Sequence, residues 1–161
     1  YLRRIILSEK LIREWKKVFA ADLAYVAHEM KDAVNPKALI LLDGPMGAGK
    51  TTFAKTFISD DETFSPSYAV LSETNTVLHA DFYRLKNSDE IYHLELPLYL
   101  EDKNYFLVEW GKAYLKTILK ELPEEFDVYA LEIEVNSQAQ KEDDDKSSFS
   151  RNFTLKKLEE Y

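Results

Sequence analysis

Hydrophobic residues recur along this chain at spacings that predict helices alternating with strands. Residues 3–7 are typical of a short strand, and Ser8 suits the N-cap of a following helix, with Glu9 in its first turn. We expect this helix to be long and to end before Asn35-Pro36, because a proline disfavours helical backbone in the residue before it. Its predicted buried face consists of Leu11, Ile12, Trp15, Val18, Phe19, Leu23, Val26, Ala27 and Met30.

A continuous apolar run over residues 38–42 predicts a strand buried on both faces, as is typical of parallel sheets. A glycine-rich turn, residues 44–51, follows directly, and residues 50–58 predict a helix. Polar residues 59–62 then predict a loop that extends through Ser65-Pro66.

Beyond this loop, residues 68–71 and 76–79 predict two strands, and residues 87–101 predict one or two short helices interrupted at Pro97. Residues 105–108 predict another buried strand, which ends in Glu109-Trp110-Gly111.

The carboxyl-terminal part predicts an amphipathic helix over residues 113–122 and a half-solvated strand over residues 128–135. Residues 149–155 predict a returning strand after an acidic loop, residues 136–148, which we expect to be mobile. Strands alternating with helices indicate a three-layer α/β fold, mostly parallel in the centre of its sheet, with an antiparallel carboxyl-terminal ribbon.

The composition predicts a packed globular protein whose negative charge is concentrated near the carboxyl end. A chain of 161 residues with 45% hydrophobic residues predicts a single domain spanning residues 1–161. The net charge of −8 argues against a direct nucleic-acid footprint. Residues 1–120 contain 16 basic and 17 acidic side chains, whereas residues 121–161 contain 5 and 12. The chain has no cysteine and no apolar run long enough to span a membrane, so we expect a cytoplasmic protein without membrane contact.

Three of the four glycines fall within six residues and belong to a phosphate-binding pattern. The pattern G-x-x-x-x-G-K-[ST] lies after a predicted buried strand and before a predicted helix, as it requires. Backbone N–H groups of such a loop face phosphates, Lys50 reaches the β- and γ-phosphates, and Thr51 binds Mg²⁺. The matching residues are Gly44, Pro45, Met46, Gly47, Ala48, Gly49, Lys50 and Thr51.

A nucleoside-triphosphate site also needs a carboxylate near the metal. Glu109 and Asp81 each follow an apolar strand, at the sheet edge that binds ligands in α/β folds. The hydroxyls of Ser65 and Ser67 could sense the γ-phosphate, or they could belong to an ordinary turn. Sequence leaves His79 undecided between a functional role and packing.

The order of these motifs resembles the TsaE family, the bacterial ATPases of tRNA threonylcarbamoyladenosine biosynthesis. GPMGAGKTT ends in Thr51-Thr52, SPSY covers Ser65 to Tyr68, HADFYRL covers His79 to Leu85, and VEW covers Val108 to Trp110. Near the carboxyl end, Arg151 to Leu155 is similar to the family's closing R-x-x-x-L.

The resemblance implies an ATPase that uses Mg²⁺ and docks on a TsaB–TsaD heterodimer to support turnover of that synthase. It assigns Lys50, the loop amides and Thr52 to ATP, Thr51 and Asp81 to Mg²⁺, and Glu109 to hydrolysis and the metal. It makes residues 65–68 a switch-like loop, although Ser67 replaces the usual threonine, and it puts Trp110 beside the site.

Two other functions fit the phosphate-binding pattern. A small metabolite kinase would carry it, but such kinases usually close an arginine-bearing lid, and this chain has no arginine cluster beyond Arg3-Arg4. A nucleotide-gated binding module with incidental hydrolysis would carry it as well. A GTPase is disfavoured because the guanine-reading N-K-x-D pattern is absent from the sequence.

Overall fold

The computed structural model describes residues 4–58, 62–68, 70–137 and 149–160. Within these ranges the chain forms eight strands and five α-helices. The strands are β1 (Ile6–Val18), β2 (Ala38–Asp43), β3 (Ser65–Tyr68), β4 (Leu71–Glu73), β5 (Val77–Asp81), β6 (Tyr105–Glu109), β7 (Asp127–Val135) and β8 (Arg151–Glu160). The helices are α1 (Leu23–Ala33), α2 (Lys50–Phe57), α3 (Asp89–His93), α4 (Leu96–Leu100) and α5 (Leu115–Glu121), and 3₁₀ turns cover Ala20–Asp22 and Lys112–Tyr114.

All eight strands belong to one mixed sheet with the order β1-β8-β7-β2-β6-β5-β4-β3. The four central strands β7, β2, β6 and β5 are parallel. At one edge β8 and β1 run antiparallel, and at the other edge β4 and β3 do. The predicted α/β fold, with a mostly parallel centre and an antiparallel carboxyl-terminal ribbon, is confirmed.

Two hydrophobic cores lie on opposite faces of the sheet, so the fold has three layers. One core contains residues of α1 and α2, such as Met30 and Phe53, and the other contains residues of α3, α4 and α5, such as Ile118. In β2, Ile40 and Leu42 belong to the first core, while its alternate residues Leu39 and Leu41 belong to the second. This double burial explains why β2 is apolar at successive positions.

The predicted long amino-terminal helix is wrong. Residues 6–18 form β1, which pairs antiparallel with β8 from Ile6 opposite Glu160 to Val18 opposite Arg151, and only α1 is an α-helix. Ser8 is therefore a strand residue rather than an N-cap. Leu11, from the predicted buried face, is 54% exposed. The helical spacing was overridden because β8 supplies hydrogen-bond partners to β1 that no local pattern reveals.

Smaller differences lie in the middle of the chain. The loop predicted at Ser65-Pro66 is part of strand β3. Of the residues predicted as one strand over 68–71, Tyr68 ends β3 and Leu71 begins β4, and the two pair with each other. Two short helices do occupy residues 87–101. They separate near Glu95, in left-handed backbone, and Pro97 lies in the first turn of α4, where proline is tolerated.

The acidic loop predicted over residues 136–148 lies mostly outside the described residues. Its first residue, Asn136, donates its backbone N–H to the carbonyl of Ser150 at 2.9 Å and closes the β7–β8 hairpin. The returning strand runs on to Glu160, beyond the predicted end at residue 155. In the part of the chain described here, no helix has the length and apolarity needed to cross a bilayer.

Candidate active site at the carboxyl edge of the sheet

The glycine-rich loop, residues 44–51, connects β2 to α2 at the carboxyl edge of the parallel strands. Gly47 and Gly49 have φ values of +80° and +100°, in the left-handed region that glycine adopts without steric cost. At Gly44, a Cβ atom would come within 2.8 Å of the carbonyl oxygen of Ile133. The backbone path of the loop therefore requires all three glycines.

Lys50, the first residue of α2, is buried and points back into the glycine-rich loop. Its Nζ donates to the carbonyl oxygen of Gly44 and, at 3.2 Å, to that of Pro45. The same atom lies 3.8 Å from the centre of the Trp110 ring. Burial lowers the pKa of Lys50, and the negative charges of nearby carboxylates, Glu109 foremost, partly oppose that effect. An ammonium group thus sits at the loop, held by carbonyl groups and an aromatic face.

Glu109, at the end of β6, is only 3% exposed and accepts two hydrogen bonds. Thr51 Oγ1 donates to its Oε1 at 2.7 Å, and its Oε2 lies 2.6 Å from His79 Nε2. Burial by itself raises the pKa of Glu109, but the hydrogen bonds from His79 and Thr51 and the charges of His79 and Lys50 outweigh it. The pKa lies below its usual range, so the carboxylate is ionised at neutral pH.

Asp81 ends β5 directly beside Glu109, because the two residues are register partners in the parallel β5–β6 pair. Its Oδ1 accepts the backbone N–H of Tyr83 at 3.0 Å. Two neighbouring strands therefore each end in a carboxylate at the same edge of the sheet, as the sequence predicted.

An open cleft of about 1030 Å³ lies over these residues. Most of the predicted site residues line it: Met46, Gly47, Ala48, Gly49, Lys50, Thr51, Thr52, Asp81, Glu109 and Trp110. Gly44 and Pro45 contact Lys50 through their carbonyl groups. Ser65 instead lines a separate cavity of about 390 Å³ with Glu73 and Lys103. The side chain of Ser67 is outside the described part of the structure.

The cleft also contains side chains that sequence reasoning missed or left undecided. His79 bonds directly to Glu109, and the alternation along β5 could have placed it on the same face of the sheet as Asp81, two positions further on. Arg151 donates from Nε to the carbonyl oxygen of Ala48 at 2.6 Å. In the sequence, only the family-like R-x-x-x-L motif pointed to Arg151. Tyr83 packs against Trp110 with ring centres 5.1 Å apart.

Most of the chain is similar to a known protein family. Residues 19–146 match the family model for the threonylcarbamoyl adenosine biosynthesis protein TsaE. A tRNA threonylcarbamoyladenosine biosynthesis protein TsaE from Rickettsia bellii is 32% identical over 117 residues, which cover 67% of this chain and 73% of that protein. The protein of the same name from Bacillus subtilis is 32% identical over 120 residues, covering 70% and 72%.

A solved structure extends the likeness to the fold. The crystal structure of Bacillus subtilis YdiB superposes with a TM-score of 0.50 at 23% sequence identity, covering 95% of this chain and 89% of that one. The family match and the two curated relatives lead to one conclusion: the chain belongs to the TsaE family of tRNA threonylcarbamoyladenosine biosynthesis proteins.

Proposed function

We propose that this protein binds ATP with Mg²⁺ in the cleft and hydrolyses it. The observation that carries the proposal is the hydrogen bond of 2.7 Å from Thr51 to Glu109. It joins a hydroxyl of the glycine-rich loop to a carboxylate at the end of a neighbouring strand, and Lys50 lies beside both. A phosphate-binding loop, a metal-binding hydroxyl and an acidic residue are the parts that nucleotide hydrolysis requires at one place.

The glycine-rich loop and Lys50 would hold the phosphates of ATP. The loop leads into α2, whose N-terminal N–H groups and dipole favour a negative ligand. The ammonium group of Lys50 would exchange the carbonyl groups of Gly44 and Pro45 for phosphate oxygens, which are better partners because they are charged. Thr52 and Trp110, which line the same cleft, complete the proposed ATP-binding residues.

The donor set fits Mg²⁺. Mg²⁺ prefers oxygen ligands and is usually bound by one or two carboxylates together with substrate phosphates and waters. Thr51, Asp81 and Glu109 supply a hydroxyl and two carboxylates at one edge. No group of three or more His, Asp or Glu side chains suited to a metal occurs among the described residues, so an all-protein cage is not offered. When bound, Mg²⁺ would neutralise negative charge on the phosphates.

Glu109 would orient the attacking water. Its ionised carboxylate can only accept hydrogen bonds, and Thr51 and His79 fix its position. A carboxylate with a lowered pKa is a weak proton acceptor, so its contribution is to hold the water in line rather than to remove its proton early.

We further propose that hydrolysis serves tRNA modification through a protein partner. The family's role in threonylcarbamoyladenosine biosynthesis supports this, and the partner would be a TsaB–TsaD heterodimer whose turnover depends on docking of the ATP-bound protein. The net charge of −8 supports docking on protein rather than direct contact with tRNA.

The test measures phosphate release and association together. Phosphate release from ATP is measured without an acceptor, first with the protein alone and then with the TsaB–TsaD pair, and a pull-down with that pair is run with and without ATP. We expect release without an acceptor, stimulated by the pair, and association that depends on ATP. Release only after a metabolite is added would indicate a kinase, and association without turnover would indicate a nucleotide-gated binding module.

A further inference from the structure

We propose that Arg151 is a positioning residue that holds the glycine-rich loop in its ligand-binding shape. Arg151 is the first residue of β8, far from the loop in sequence. Its Nε donates to the carbonyl oxygen of Ala48 at 2.6 Å and its Nη2 to that of Gly47 at 3.3 Å. One guanidinium thus bonds to two successive carbonyl groups of the loop. The inference deepens the proposed function, on which it rests, because the ligand it concerns is ATP.

The carbonyl groups of Gly47 and Ala48 need partners from outside the loop. When backbone N–H groups turn toward a phosphate, the carbonyl groups between them turn away and need other partners. Gly47 has no heavy atom within 4 Å of the place where a Cβ would be, so packing does not restrain it there. Glycine also has the largest choice of backbone conformations. The two hydrogen bonds from Arg151 remove that freedom.

Arg151 also packs against the loop directly. A Cβ atom on Gly49 would lie 3.5 Å from Nε of Arg151, within ordinary van der Waals contact. The guanidinium therefore lies along residues 47–49, and Arg151 also lines the cleft.

The backbone on both sides of Arg151 is itself fixed. Its Nη1 donates to the carbonyl oxygen of Phe149 at 2.8 Å. On the other side, the Asn152 side-chain oxygen accepts from Asn136 Nδ2 at 2.9 Å and from the backbone N–H of Lys17 at 3.0 Å. These bonds tie the start of β8 to β7 and β1. The loop is thereby held against the sheet before a ligand arrives, which lowers the ordering cost of binding.

Lysine separates positioning from charge. It keeps a positive charge, but its single ammonium group lacks the planar fork that reaches two carbonyl oxygens at once. If Arg151 acts by positioning, Arg151→Lys should fail to rescue the loop. Lys157 offers a matched control, because it is a basic residue of the same strand that pairs with Asp127 at 3.8 Å.

The first measurement is calorimetric titration of ATP with Mg²⁺ into the wild type, Arg151→Ala, Arg151→Lys and Lys157→Ala. A hydrogen bond to a charged group contributes enough that we expect both Arg151 variants to bind roughly tenfold more weakly. In turnover, KM for ATP should rise by a similar factor with little change in kcat, because the carbonyl groups that Arg151 bonds belong to the proposed phosphate-binding loop and not to the carboxylate that would orient the water. Lys157→Ala should match the wild type. Wild-type affinity in Arg151→Lys would overturn the positioning role.

The second measurement needs no nucleotide. Amide hydrogen exchange of residues 47–50 is followed in the free wild type and in both Arg151 variants, with residues 39–42 of β2 as an internal reference. We expect exchange to speed up in the loop alone. Unchanged exchange in the loop overturns the inference, even if the variants melt at lower temperature. A wild type that binds no ATP would count against the proposed function, whereas the exchange result tests Arg151 by itself.

Discussion

Glu109→Gln is the substitution that best separates a role of Glu109 in ATP hydrolysis from a role in the structure of the cleft. Glutamine has the size of glutamate and keeps a carbonyl oxygen that can accept the hydrogen bond from Thr51. It loses the negative charge that faces His79 at 2.6 Å and replaces an acceptor oxygen by an NH₂ donor. The substitution therefore removes the proposed water-orienting carboxylate while leaving the side-chain volume intact.

The expected loss of activity is much larger than the expected loss of stability. Loss of the correct position of a reactant can cost about 100-fold in rate, so we expect turnover to fall at least about 100-fold. The hydrogen bond between His79 and Glu109 involves a buried carboxylate, and relief of that buried charge offsets part of the loss of the bond. We therefore expect unfolding free energy to fall by about 1–2 kcal/mol, which lowers Tm by roughly 2–8 °C.

The assay compares phosphate release under saturating ATP with ATP affinity from calorimetry and with Tm. Glu134→Gln is the control, since Glu134 is an exposed glutamate on β7. We expect the control to behave like the wild type in all three measurements. In Glu109→Gln we expect an ATP affinity within about tenfold of the wild type, since Lys50 and the loop amides remain.

Two results would contradict a water-orienting role for Glu109. If Glu109→Gln turns over ATP at the wild-type rate, the carboxylate does not orient the water and Glu109 is a structural acceptor for Thr51 and His79. If affinity and turnover are both abolished while Tm is unchanged, Glu109 acts mainly in binding.

Three further predictions follow from the same geometry. Lys50→Ala should weaken ATP binding at least about 100-fold in calorimetry, because a charge-assisted contact to phosphate is lost. Lys55→Ala is the control, since Lys55 is an exposed lysine of the same helix, and it should leave ATP binding unchanged. The pKa of the Glu109 carboxyl is lowered in the folded protein, so its ionised form stabilises the fold at any pH above the ordinary pKa of 4.5. This stabilisation is lost as the pH falls through the lower pKa of the folded state. The difference in Tm between the wild type and Glu109→Gln should therefore become smaller on acidification. Deletion of residues 142–145 should leave ATP affinity unchanged, because these residues of the predicted acidic loop are not among the proposed ATP-binding residues. A large loss of ATP affinity in calorimetry would contradict this separation.

The sequence predicted the centre of the fold and the core of the site because both depend on local patterns. The apolar run of β2, the glycines after it and the carboxylates after β5 and β6 lie next to their strands in sequence. Parallel strands that share an edge then bring Asp81 beside Glu109 without further information.

Long-range pairing accounts for what the sequence did not predict. The residues of β1 have helical spacing, and their partner β8 lies at the other end of the chain. Arg151 reaches the glycine-rich loop for the same reason, since antiparallel pairing brings the start of β8 beside β7. The sequence predicted Ser65 as a candidate sensor of the γ-phosphate from its place in a loop after the α2 region and from a motif, but β3 pairs at the sheet edge and Ser65 lines another cavity.

The central claim is that the cleft is a site for ATP with Mg²⁺, and the direct test is the dependence of ATP affinity on the metal. ATP is titrated into the wild type, Thr51→Val and Asp81→Ala, each with Mg²⁺ and then with a chelator. We predict that Mg²⁺ tightens binding to the wild type by at least about tenfold and that both variants lose most of this gain, because each lacks one proposed oxygen ligand. Equal affinity with and without Mg²⁺ in the wild type would contradict the account.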